Sequence, residues 1–244
     1  MDKACFLSKQ KKVIPFVPEI DVKEVEVTKE KYEKYFPQDK SVDHTKLRLS
    51  NIGEYSIARP NIAELIAESV FTDIGESGTV TDAFGNMGGL SIALAKRFSN
   101  VNTCEIVPTH CEILTNNLEQ YGLLKKVKLH CGDYMKVMTD LKQDAVVLDP
   151  PWGGTDYKDK KYIDLGMNNV NIICIINKLL NHAKHIYMMV PHNYKFEDLQ
   201  LIDPNCLVSM KKLEPERKQR SKMLLRFTKI KVGGGIHKTR RRRR

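Results

Sequence analysis

Between residues 79 and 190 the chain repeats one pattern: a short apolar, often β-branched run, then a longer stretch whose apolar residues recur every three to four positions. Apolar runs of about four to eight residues make strands and a period near 3.6 makes helices, so the pattern predicts alternating β and α units. The predicted strands are 79–84, 101–105, 127–131, 144–148 and 185–190, and the predicted helices 90–98, 108–121, 134–141 and 169–182. A strand such as Asp144-Ala145-Val146-Val147-Leu148, nearly all apolar, must be covered on both faces. This alternation predicts an α/β fold, a doubly wound, mainly parallel sheet with helices on both sides. Strands 206–212 and 222–231 then follow without a helix between them, which adds an antiparallel edge hairpin and brings the sheet to seven strands.

At 244 residues, 41% of them apolar, the chain suits one sizeable domain with appendages. Four segments are expected: an extended or disordered arm over 1–27, a small helical extension over 28–74, the core over 75–232, and a disordered Gly- and Arg-rich tail over 233–244. In the extension, 28–36 opens on Thr28 as N-cap and carries Tyr32, Tyr35 and Phe36 at helical spacing. Residues 61–71, started by Pro60, form a stronger helix with Ile62, Leu65, Ile66 and Val70 on one side. The net charge of +10 is concentrated at one end: from Lys211 onward 15 Lys and Arg oppose only Glu214 and Glu216, which leaves −3 for everything before. The run Arg240 to Arg244 attracts phosphate through counterion release and points to RNA binding or nuclear import. Six cysteines form no C-x-x-C pair and read as reduced, buried thiols of an intracellular protein. The histidines show no zinc spacing and no apolar run has membrane length, so neither a metal nor a membrane is expected, and the chain is expected to be a monomer.

The predicted strands deliver acids to one rim, the carboxyl ends, where open α/β sheets bind ligands. The first ends in Asp82-Ala83-Phe84-Gly85-Asn86-Met87-Gly88-Gly89, where Gly85 and Gly88 let the backbone approach a ligand and the helix amino terminus meets its polar end. This is not the G-x-G-x-x-G of dinucleotide sites, and Asp82 would repel a pyrophosphate but attract a sulfonium or α-amino group, which favours S-adenosylmethionine over NAD. Glu105, 23 residues on, stands near the offset at which an acid grips ribose hydroxyls. Asp133 offers an acceptor for adenine amino hydrogens. The fourth strand ends in Asp149-Pro150-Pro151-Trp152-Gly153-Gly154, where the prolines remove two donors, the carbonyls stay free for a substrate amine, and the single tryptophan presents a flat face to a base. Singly, each acid reads equally as the cap of the next helix, and the tryptophan as a turn over the core edge. Four acids on one rim favour a ligand site.

These motifs resemble class I methyltransferases, with their Rossmann-like fold, and more narrowly the trimethylguanosine synthase family of RNA cap guanine-N2 methyltransferases. Pro150-Pro151-Trp152-Gly153-Gly154 followed by Asp156-Tyr157 is similar to that family's signature, and Tyr55-Ser56 with Pro60 and Ile62-Ala63 resembles its aromatic-Ser-x-x-Pro-x-x-Ile-Ala segment. The likeness runs from about Tyr32 to Ile230. It implies S-adenosylmethionine as cofactor, capped RNA as partner, and an amino-terminal helical extension that folds over the core to help enclose both ligands. Cofactor contacts are then expected from Ser56, Asp82, Phe84, Gly85, Gly88, Glu105, Asp133 and Asp149, and substrate contacts from Trp152, Tyr55 and Lys158. The chain departs from the family at Gly85-Asn86, where Cys-Gly is usual, at Tyr55, where Trp or Phe is, and at Asp149, where serine is common. The last change gives the Asp-Pro-Pro-Trp of adenine-N6 methyltransferases.

Guanine N2 is a poor nucleophile because its lone pair is delocalised into the ring, so positioning is most of the catalysis. A 7-methylguanine base is cationic, which suits the face of Trp152 and acidifies the N2 protons, while Asp149 and the Pro150 carbonyl accept hydrogen bonds from the amine. On this reading Asp149, Pro150 and Trp152 form the catalytic set. Lys158, Lys160 and Lys161, with basic residues of the C-terminal hairpin, either neutralise the cap triphosphate or stay solvated, Tyr55 either makes a second aromatic wall or packs beneath the cofactor, and Asn193 reads as a helix cap. Methylation of adenine N6 or another base, and a cap-binding module with a degenerate cofactor site, are the competing functions.

Overall fold

The computed structural model describes residues 21–213 and 222–230. In chain order its elements are β1 (Glu24–Val25), α1 (Lys29–Tyr35), β2 (Leu49–Ser50), α2 (Gly53–Ser56), α3 (Pro60–Ile74), β3 (Thr79–Asp82), α4 (Gly89–Arg97), β4 (Asn100–Glu105), α5 (Pro108–Gln120), β5 (Val127–Cys131), α6 (Tyr134–Val137), β6 (Ala145–Leu148), β7 (Gly166–Met167), β8 (Val170–Asn171), α7 (Ile172–Leu179), β9 (His185–Pro191), β10 (Cys206–Leu213) and β11 (Lys222–Lys229). Seven strands form the central sheet in the order β10-β11-β9-β6-β3-β4-β5. The five from β9 to β5 are parallel, and β11 and β10 are added antiparallel at the β9 edge. The Rossmann-like sheet with its edge hairpin is thus the one the sequence predicts.

The sheet is buried on both faces, which is why β6 reads as a continuous apolar run. Alternate residues separate cleanly: Ala145 and Val147 join the core under α3 and α4, while Val146 and Leu148 join the core under α7. Helix α7 buries Ile172, Ile173, Ile175 and Ile176, each worth roughly 1.5–3 kcal/mol of apolar transfer. It is shorter than the predicted 169–182 because Asn168 and Asn169 are left-handed and Asn171 caps Ile173 N, so the helix can begin only at Ile172. Helix α6 is likewise a single turn rather than 134–141.

A third cluster carries the amino-terminal segment. Tyr32, Tyr35, Phe36, Leu47, Leu49 and Ile57 pack with Met87 and Ile113 of the core. Polar ties accompany the packing: Asn117 accepts from Arg48 N at 2.8 Å and donates to the Arg48 and Met87 carbonyls at 2.9 Å each, and Ser50 Oγ pairs with His110 Nε2 at 3.1 Å. The arm expected over 1–27 is ordered at its end, where Glu24–Val25 pairs with Leu49–Ser50; its earlier part and the arginine tail lie outside the described residues.

The expectation of reduced, buried thiols is corrected. Cys111 of α5 and Cys131 at the end of β5 form a disulfide, and Cys174 is disulfide-bonded too, while Cys104 and Cys206 are free. The two halves of the first bridge come from elements packed side by side, a proximity that sequence spacing does not reveal. No helix among the described residues is long and apolar enough to cross a membrane.

Candidate active site

Strand order reverses at β3 and β6, so the crevice between their carboxyl ends is the topological switch point where such sheets bind ligands. Asp82, Glu105 and Asp149 end or follow β3, β4 and β6 there. The loop from Asp82 to α4 is folded tightly: Gly85 N donates to Cys104 O at 2.7 Å, Gly88 N to Gly85 O at 2.8 Å, and Asn86 (φ 48°) and Gly88 (φ 99°) are left-handed. Asparagine tolerates that conformation better than most residues, which lets Asn86 stand in this turn. The glycines also serve packing. A Cβ on Gly85 would lie 2.4 Å from Thr103 Cγ2, and one on Gly89 would lie 2.3 Å from Ala58 O, against the amino-terminal segment.

Asp82 has no exposed surface, and both its oxygens are engaged, one by Ser91 Oγ at 2.7 Å and one by Phe84 N at 3.2 Å. Through these bonds Asp82 shapes the loop at Phe84 and holds α4 at Ser91. Desolvation pushes its carboxyl up to about 6. Glu105 bridges two segments, accepting from Asn86 N at 2.6 Å and Val107 N at 2.8 Å. Burial raises its pKa against these two bonds, and each oxygen retains capacity to accept another hydrogen, as a ribose hydroxyl grip requires. Asp133 caps α6 by accepting from Met135 N at 2.9 Å and lies 3.5 Å from Asn168 Nδ2; the helix-cap alternative holds for it. Ser56 reaches the loop through Asn86, whose Nδ2 donates to Ser56 Oγ at 2.9 Å, and Phe84 packs on the core beneath α7. Tyr55 is 59% exposed, so it is not packed beneath any of the described residues.

Asp149 is half-buried at the end of β6. Desolvation pushes its carboxyl up to about 7, with Lys222 drawing it down and Asp82 adding to the rise. Pro150 is buried, and among the described residues no hydrogen bond reaches its carbonyl. Trp152 packs against both sheet cores, so the core-edge reading is partly right. Yet its Nε1 is buried without a partner among the described residues, which a turn built only for packing would not leave. Tyr157 meets the indole edge-on, 5.1 Å between centroids at 81°.

Gly153 (φ 94°) and Gly154 (φ 74°) turn the chain into a short helical loop, Gly154–Asp159. Asn193 is not a helix cap: its Nδ2 donates to the Tyr157 and Lys160 carbonyls, both at 2.8 Å, and so pins that loop to the end of β9. Lys158 lies exposed on it, 6.0 Å from the Tyr157 centroid. Sequence reasoning offered the hairpin's basic residues as a group but did not single out Lys222, whose ammonium stands 5.0 Å from the Trp152 ring centroid. Burial lowers its pKa, Asp149 opposes that, and Arg59 reinforces it.

A model of the RNA cap guanine-N2 methyltransferase family matches residues 77–232, well over half the chain. The chain belongs to that family. Among curated proteins, this RNA cap guanine-N2 methyltransferase family member is 31% identical to protein L320 of Acanthamoeba polyphaga mimivirus over 123 residues, 48% of each chain. It is 23% identical to trimethylguanosine synthase of Saccharomyces cerevisiae over 165 residues, 65% of this chain and 52% of the yeast protein. It thus spans about half the length of these relatives. An rRNA methylase from Streptococcus thermophilus superposes with a TM-score of 0.51 at 14% identity, covering 72% of this chain and 99% of the other. An O-methyltransferase from Bacillus cereus in complex with SAH superposes with a TM-score of 0.54 at 15% identity, covering 72% and 84%. These likenesses establish the fold of S-adenosylmethionine-dependent methyltransferases.

Proposed function

We propose that the chain, as a monomer, transfers methyl from S-adenosylmethionine to the N2 amine of 7-methylguanosine RNA caps. The observation that carries the reading is the grouping at the end of β6: an acid whose carboxyl sits at about 7, an acceptor carbonyl on Pro150 and a half-buried indole with an unpaired donor. The rim fits the cofactor. Glu105 keeps acceptor capacity for ribose, and Asn86 Oδ1 is buried and without a partner among the described residues. Bound there, the sulfonium would supply an electrophilic methyl group.

The chain's own residues do the rest. Trp152 supports the cationic base, a contact worth about 1–2 kcal/mol when desolvated. Asp149 and the Pro150 carbonyl accept the N2 hydrogens and so aim the nitrogen lone pair at the methyl group. A carboxyl near 7 is also poised to take the proton that N2 sheds after transfer. Lys158, Lys160 and Lys161 lie exposed on the same loop, where they can meet the cap triphosphate. The likeness to a mimivirus protein supports a viral setting, inside an infected cell.

Asp149 itself favours a second reading, methylation of adenine N6, because a carboxylate beside a proline carbonyl suits either exocyclic amine. Labelled cofactor with m7GpppA and GpppA separates them. Methyl on N2 of the capped guanine, with GpppA inert, is the expected product. Equal turnover of GpppA would reject the dependence on base charge, and methyl on adenine would establish the second reading.

A further inference from the structure

Lys222 opens β11, directly opposite Pro191 in the antiparallel pairing with β9. Because β11 runs against the parallel strands, its first residue lands at their carboxyl ends, on the same rim as Asp149. There the ammonium lies over the Trp152 ring at 5.0 Å from its centroid. Its other charged neighbours are the Asp149 carboxylate and the Arg59 guanidinium, and Asp149 in turn faces Lys222 and Asp82. Lys222 therefore makes at the indole face the contact that the proposed function asks of a 7-methylguanine base, and its charge acts on the Asp149 carboxylate beside it.

We propose that Lys222 is the resident cation of the base-binding site, and that a cationic base binds by displacing its ammonium from the face of Trp152. The inference rests on the cap reading above and adds a specificity device to it. Exchange of one cation for another leaves Asp149 compensated throughout. A neutral guanine that expelled Lys222 would forfeit the ammonium's contact with the indole and bring no charge to replace it, a cost that a cationic base does not bear. Lys222 thus acts as a specificity-determining residue that makes the base's positive charge the condition of entry.

The protein contains one tryptophan, so fluorescence quenching reports on Trp152 alone. The probe is 7-methylguanosine without phosphate, so that any contact between Lys222 and a cap phosphate plays no part. Lys222→Met removes the resident charge and keeps the apolar stem; affinity should rise about tenfold, the equivalent of a cation–π contact of about 1.4 kcal/mol no longer competing. Lys222→Gln should move in the same direction, which keeps the test available should the methionine variant fail to fold. Lys222→Arg keeps a cation that favours aromatic faces, so its affinity should not exceed that of the unaltered protein. Unchanged or weaker binding by both neutral variants would overturn the displacement role alone. Absence of binding to every version, with the fold intact by circular dichroism, would overturn the cap reading and this inference with it.

Discussion

Replacing Asp149 by asparagine keeps shape and hydrogen-bonding capacity while removing the ionisable group, and its effect on stability has a sign that depends on pH. The folded carboxyl sits at about 7 against an ordinary 3.8, chiefly because burial strips its hydration. A rise of about three units corresponds to roughly 4 kcal/mol between the two protonation states. Because the folded pKa is raised, the native chain holds a proton between pH 4 and 7 that the unfolded chain releases. Stability therefore increases as pH falls through 7 and levels off below about 4. Above pH 7 the unaltered protein bears the full cost of a desolvated charge, and the asparagine variant does not. Asp149 is half-buried rather than sealed, and its loss leaves Lys222 without a counter-charge, so about 2–3 kcal/mol of the roughly 4 should survive. Thermal or urea unfolding of both proteins at pH 8 and pH 4.5 reads it out. Asp149→Asn should melt about 5–10 °C higher at pH 8, at roughly 2–4 °C per kcal/mol for a chain of this size, and almost equally at pH 4.5. A difference that does not change with pH, or a variant less stable at pH 8, would refute the desolvated-carboxylate argument. Activity should move oppositely: kcat/KM rises through pH 7 in the unaltered enzyme, and in the variant it is about 10–100-fold lower and flat, as loss of a charge-assisted hydrogen bond of about 1.5–3 kcal/mol requires.

Trp152→Ala should abolish binding of 7-methylguanosine cap analogue while leaving S-adenosylmethionine affinity nearly intact by calorimetry; retained cap affinity would reject the stacking assignment. Glu105→Gln replaces one acceptor oxygen by a donor facing the Asn86 and Val107 amides, so cofactor affinity should fall about tenfold or more at roughly 1.4 kcal/mol per decade, and unchanged affinity would remove Glu105 from the site. Cys111→Ser opens the bridge to Cys131, 20 residues on, and should lower stability by about 3 kcal/mol. Reductant, which also opens the bridge that holds Cys174, should lower the stability of the unaltered protein by at least as much. A melting temperature indifferent to both would show that the pair is not bonded in solution.

The fold was legible because each core strand is covered on both faces: the run Ala145–Leu148 has no polar alternative and admits only a central position. Helix ends were less legible, since they turn on local competition. Asp133 starts α6, but Thr139 and Asp140 favour turn hydrogen bonds over helix, and the element stops at Val137. At the site, the acids were legible as a set on one rim, but their partners were not. That Asp82 is bound by Ser91 and Phe84, or that Asn193 holds the Tyr157 and Lys160 carbonyls, depends on contacts between segments that sequence order keeps apart. Lys222 was not singled out for a topological reason. It begins a strand, and only the antiparallel return of β11 makes a strand's beginning coincide with the rim formed by the other strands' ends.

That return also bears on the aspartate at position 149, where the family commonly carries serine. A serine in a half-dry pocket needs only a hydrogen bond; a carboxylate there costs several kcal/mol unless a counter-charge shares the space. The chain supplies one in Lys222, and the two residues moderate each other, since Asp149 opposes the fall in the lysine's pKa and Lys222 opposes the rise in the aspartate's. Asp149 is therefore best understood as half of a pair, and transplanting it alone into a serine-bearing relative should produce a protonated, neutral acid at pH 7. The aspartate by itself is then weak evidence for adenine chemistry. On the proposed reading, what would distinguish the two bases is charge: an adenine amine brings none to replace the ammonium over Trp152, whereas a 7-methylguanine would bring one to the same place.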